Sequence, residues 1–75
     1  MNYRERITSD HKIMLGKPVV KGTRITVEIV LRKMAEGASQ EDILKMYDQL
    51  TPIDIQAILG FASEVIGSEK VIMSE

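Results

Sequence analysis

The chain has 75 residues, no cysteine, one histidine and a formal net charge of −1. This composition excludes a disulfide framework and a thiolate metal site, and a lone His11 is too little for a metal cluster. A domain this short buries only about 60% of its unfolded surface, which makes self-association the expected route to further stability.

Residues 1–25 carry no helical period. Residues 4–8 and 12–15, Val19-Val20 and Arg24-Ile25 read as short extended pieces, broken at Ser9-Asp10, at Gly16 to Pro18 and at Lys21-Gly22. Gly22 accepts the positive φ that a tight turn needs, so Lys21-Gly22 is expected to close a hairpin. Pro18 lacks an N–H and belongs at an edge or at a strand start. This part is also the basic part. Arg4, Arg6, Lys12, Lys17, Lys21 and Arg24 stand against Glu5 and Asp10, whereas residues 26–75 hold four cations against nine carboxylates. The split suggests a basic arm on an acidic body. The alternative is that such small counts fluctuate and that the two halves attract each other within a dimer.

From Thr26 onward the period changes. Thr26 is an N-cap, and Val27, Val30, Leu31 and Met34 follow on one helical face. Gly37 is placed to end that helix. Ser39 caps a second, with Asp42 at N3, and Ile43, Leu44 and Tyr47 form its buried side. Thr51, Pro52 and Asp54 open a third helix, running to about Ile66 and ending near Gly67. On it, Ile55, Ile58, Leu59, Ala62, Val65 and Ile66 form one stripe, and Ile53, Ala57 and Phe61 a second. A helix apolar on two sides is buried on two sides. The second stripe is therefore the expected partner or dimer interface, unless Val71, Ile72 and Met73 of the tail fold back over it. The organisation expected is a basic extended arm with a hairpin (1–25), a three-helix bundle (26–67) and a mobile tail (68–75), together one domain. The fold class is mainly α, a short β-hairpin region followed by a homeodomain-like, helix-turn-helix bundle.

Residues 16–25, GKPVVKGTRI, are not a phosphate loop. Gly22 is followed by Thr23 and no Lys-Ser/Thr pair follows, nor does a helix start directly after the glycine. No catalytic constellation is legible: His11 lacks a Ser or Asp at diagnostic spacing, and beside Asp10 it reads as a turn residue. Asp42 and Asp54 read as helix-start residues. No catalytic residue, cofactor or metal is expected, and the chain reads as a non-enzyme. A helix ending at Gly37 before a Ser-capped helix resembles the entry to a helix-turn-helix, where a following helix reads the major groove. Residues 51–66 hold no Lys or Arg, however, and phosphate attraction dominates DNA affinity. The expected nucleic-acid contacts are therefore Arg6, Lys12, Lys17, Lys21 and Arg24. For Arg24 the alternative is structural: a guanidinium bonded to carbonyls or a carboxylate, fixing the hairpin onto the helices. No run of about 18 apolar residues marks a membrane span, and MNYRERITSD has no apolar signal-peptide region, so cytoplasm is the expected compartment.

The run Gly16-Lys17-Pro18-Val19-Val20-Lys21-Gly22-Thr23-Arg24-Ile25 carries a resemblance. With Thr26-Val27, Glu36 to Ser39, Ile43-Leu44, Tyr47, Leu50-Thr51, Asp54-Ile55 and Ala57, it is similar to the small prokaryotic family known as domain of unknown function four hundred and thirty-three. The resemblance spans about residues 5–62. The chain departs from the family's usual Asp-Pro at Asp10-His11 and from its usual Tyr-Pro at Tyr47-Asp48. What the resemblance implies is a short β-region before a homeodomain-like bundle. It also implies an antitoxin role, similar to VapB-type proteins that partner PIN-like toxin nucleases and bind their own promoter DNA. The functional expectation is an antitoxin-like, dimeric DNA-binding regulator; the alternative is a protein-interaction module without DNA binding.

Overall fold

A computed structural model of the chain describes residues 3–68. A 3₁₀ turn at Tyr3–Glu5 leads into β1 (Ile7–Thr8), a tight turn at Met14–Gly16, β2 (Val19–Val20), α1 (Val27–Ala35), α2 (Gln40–Met46) and α3 (Pro52–Ser68). The two strands pair antiparallel, Ile7 opposite Val20 and Thr8 opposite Val19. The architecture is thus a small two-stranded sheet before three helices, mainly α, as the sequence pattern predicts.

Each helix starts where its cap stands. Thr26 Oγ1 accepts the Ile29 N–H at 3.0 Å. Ser39 Oγ accepts from Asp42 N at 3.0 Å while Asp42 Oδ2 accepts from Ser39 N at 2.9 Å, a reciprocal capping box. These backbone bonds are the first reason that the Asp42 carboxyl sits below the ordinary aspartate range. Thr51 and Asp54 make the same exchange at the start of α3. Gly37, at φ 111°, follows the end of α1. α3 continues slightly past its expected end, through Gly67 to Ser68.

The region before α1 differs from expectation in two places. Residues 12–15 are not an extended piece. Met14 and Leu15 take φ of 49° and 59° and Gly16 takes 84°, a left-handed turn closed by Gly16 N–H to Ile13 O and Lys17 N–H to Met14 O. The β-propensity of this stretch gives way because its ends must return the chain to pair β2 with β1. The second difference concerns the hairpin. The turn at Lys21-Gly22 forms, with Thr23 N–H on Val20 O and Val20 N–H on Ile25 O. Gly22 supplies φ 82° there. Beyond it only an isolated bridge forms, Val19 with Thr26; the ladder itself is the pairing of β2 with β1 across residues 9–18.

The core gathers Ile7, Val20, Val27, Val30, Ile43, Leu50, Ile55, Ala57 and Ile58. Val19, Val20 and Ile7 are buried, so the segment expected as an arm is in part a wall of the core. Burying each such aliphatic side chain contributes about 1.5–3 kcal/mol, more than a free arm would gain. The expected tail, apart from the helical Ser68, lies outside the described residues.

Candidate functional site

The five cations expected to meet nucleic acid fall into two groups. Arg6 and Lys17 are held by this chain's own carboxylates. Arg6 Nη1 lies 3.0 Å from Asp54 Oδ1, and Lys17 Nζ lies 2.8 Å from Glu28 Oε1. Glu28 also takes Arg32, at 2.6 Å, one helical turn on. The Lys17 hydrogen bond, then the charges of Lys17 and Arg32, hold the Glu28 carboxyl below its ordinary range. By contrast, the exposed side chains of Lys12, Lys21 and Arg24 make no ion pair or hydrogen bond with another described residue. The structural alternative for Arg24 required such a bond.

Arg24 stands where two surface depressions meet. One is lined by Thr8, Ile13, Val19, Gly22, Thr23 and Gln49. The other is lined by Met14, Lys17, Ile25, Ile29, Arg32 and Tyr47, among others. Their polar members are cationic or neutral hydrogen-bonding groups, with one carboxylate, Glu28, already shared by two cations. An anion brought to Arg24 therefore meets a free guanidinium and no uncompensated negative charge. Lys21 lies apart, in a shallow depression with Glu5, Arg6 and Asp54.

The expected interface residues are also split. Ala57 is fully buried in the chain's own core and has no surface to offer a partner. Phe61 is half-buried beneath Tyr3, their rings edge-on with centroids 5.8 Å apart. Of the three, Ile53 is exposed. The second stripe of α3 is thus covered in part: Tyr3 of the N-terminal turn packs on Phe61, which sequence periodicity had no means of placing there, and Ile53 stays open. The proposed alternative cover, Val71, Ile72 and Met73, lies outside the described residues.

Most of the exposed apolar surface of α3 belongs to the first stripe. Leu59, Val65 and Ile66 emerge on the later part of α3, Ile66 at 66% exposure. Together with Leu31 and Ala35 of α1, and with Phe61 and Ala62, Val65 and Ile66 line a groove of about 600 Å³ between the two helices. The signal was present in the sequence as a stripe longer than the surrounding elements could cover.

His11 Nδ1 lies 3.8 Å from Asp10 Oδ1, and Asp10 Oδ1 accepts the Lys12 N–H at 2.9 Å, a local turn. Among the described residues no three His, Asp or Glu side chains are grouped to hold a metal ion, and no helix is long and apolar enough to cross a membrane.

The family described as "Protein of unknown function (DUF433)" matches residues 7–62. An uncharacterized protein of Archaeoglobus fulgidus is 57% identical over 28 residues, covering 37% of this chain and 78% of that protein. No solved structure gives a significant match. The matched residues span the strand pair, the Gly16 to Ile25 run and all three helix starts, and by that match the chain belongs to the DUF433 family.

Proposed function

We propose that this chain is an antitoxin-like DNA-binding regulator that contacts nucleic acid through the surface around Arg24. The observation carrying this reading is the unpaired Arg24 guanidinium at the junction of two depressions free of uncompensated carboxylates. Phosphate oxygens accept from a guanidinium in a fork, and Thr8, Gln49 and Tyr47 supply neutral donors beside it. α3 is not the reading element in this proposal, since Pro52–Ser68 holds no Lys or Arg. The antitoxin part of the proposal rests on the likeness to VapB-type proteins, with a PIN-like toxin as protein partner and promoter DNA as nucleic-acid partner.

The test is titration of the purified protein against the DNA upstream of its own gene at two salt concentrations, with a scrambled duplex as control. Specific binding that weakens steeply with salt is expected. Absence of binding at low salt overturns the reading. A second reading, a protein-interaction module without DNA function, is favoured by the apolar groove between α1 and α3. It would be left in front by that outcome.

A further inference from the structure

We propose that the groove between α1 and α3 is the seat of a second copy of this chain, joined about a two-fold axis that passes near Ala62. This deepens the DNA-binding reading, which it supplies with a doubled set of cations, but its own evidence is independent of DNA.

Three observations point to a copy rather than to a different protein. First, hole and knob lie on one molecule. Ala35 and Ala62 are small residues in a groove walled by Leu31 and Val65, and Leu59 and Ile66 protrude beside it at 45% and 66% exposure. Leu59, Ala62 and Ile66 follow at i, i+3 and i+7 on one face of α3. A two-fold axis puts each copy's protruding residues over the other's groove, which is the self-complementarity that an isologous interface requires.

Second, the charges that line the groove cancel. They are Glu28 and Arg32, paired with each other at 2.6 Å. The groove therefore offers no excess charge to select an oppositely charged partner. It also imposes no like-charge repulsion on an identical one.

Third, α3 packs against the N-terminal turn, β1 and α2, and only thinly, at most, against α1. The two helices leave between them an apolar groove open to another chain's side chains. Filling it with the partner's α3 assembles two α1 and two α3 helices around one apolar seam. That is the extra burial a 75-residue chain with a small core lacks. It also sets two copies of Lys12, Lys21 and Arg24 in one particle.

The test is the mass of the full chain by light scattering across a dilution series, with Val65→Glu and Ile66→Glu as variants and Met46→Glu, exposed but outside the groove, as control. Circular dichroism melting shows that each variant folds. The unmodified chain and Met46→Glu are expected to run at twice the monomer mass. Val65→Glu and Ile66→Glu are expected to raise the dimer dissociation constant by about a hundredfold or more, as for central interface residues. Because the chain holds no cysteine, Ala62→Cys gives an unambiguous second measurement. It is expected to form a disulfide-linked dimer on mild oxidation, and Met46→Cys is not. A monomer at every concentration without the Ala62→Cys crosslink overturns the proposal, as does a dimer indifferent to both Glu variants. A dimer that fails to bind DNA leaves this inference standing and removes only the regulator reading; a monomer that binds DNA does the reverse.

Discussion

Arg6 Nη1 donates to Asp54 Oδ1 at 3.0 Å across 48 positions of sequence. The same carboxylate accepts the Thr51 N–H at 2.8 Å and the Thr51 hydroxyl at 3.0 Å through Oδ2. One buried side chain, 7% exposed, thus caps α3 and ties it to the segment that enters β1. Burial by itself raises the Asp54 pKa. The Thr51 backbone bond, the Arg6 bond and the Thr51 hydroxyl outweigh it, so the carboxyl lies below its ordinary range.

Removing either member should therefore cost stability. Asp54→Ala is expected to lose about 2–4 kcal/mol, since it removes a cap and leaves Arg6 without its partner. Arg6→Met should cost less, about 1–2 kcal/mol, because Arg6 is partly exposed and surface pairs are screened. Urea melts of both variants measure the difference. In the DNA titration Arg6→Met should leave the salt slope unchanged, whereas Arg24→Ala should reduce it by about one unit.

The pH dependence follows from the same carboxyl. A group with a depressed folded pKa stabilises the fold fully above its unfolded value, about 3.9 for aspartate. That stability is lost as pH falls through the folded value. Melting temperature should be flat from neutral pH down to about 5 and then fall with acid. In Asp54→Asn the acid fall should be shallower, because the asparagine does not titrate.

Leu15 is 93% exposed and sits at φ 59°, a conformation that costs a branched L-residue about 1 kcal/mol. Nothing is lost in packing when it is replaced. Leu15→Asn, which tolerates that backbone, should raise stability by up to about 1 kcal/mol. A thermal melt that moves downward instead would show that the leucine makes a contact in solution.

Gly60 and Gly22 should respond in opposite directions to the same substitution. Gly60 lies within α3, and an added Cβ would meet Tyr3 Cδ1 at 3.6 Å, an ordinary contact. Gly60→Ala should stabilise by about 0.5–1 kcal/mol through helix propensity. Gly22 has open space around it, but its φ is +82°. Gly22→Ala should destabilise by about 1 kcal/mol through backbone strain alone. Parallel melts of the two variants separate the effects.

Local chemistry was legible from residue order. The three helix starts at Thr26, Ser39 and Thr51 are each written within four residues, because a cap satisfies donors in the next turn and needs no distant partner. The turn at Lys21-Gly22 is equally local. The free Arg24 was among the candidates for the same reason: a cation beside a turn is visible in the chain.

What tertiary structure decided is which partners those residues meet. Arg6 and Lys17 look like Arg24 in sequence, yet the pairings to Asp54 and Glu28 use up their charge. The strand β2 forms its ladder with β1 and only an isolated bridge with the piece just beyond the turn, and Met14 and Leu15 take left-handed backbone in the connection. On α3, periodicity showed two apolar stripes but not which would be covered. Tyr3, more than 50 positions away from Phe61, packs edge-on against it, Ala57 lies in the core, and Ile53 of one stripe and Val65 and Ile66 of the other stay in the open. Contacts of that separation depend on where the whole chain closes, and no window of sequence contains them.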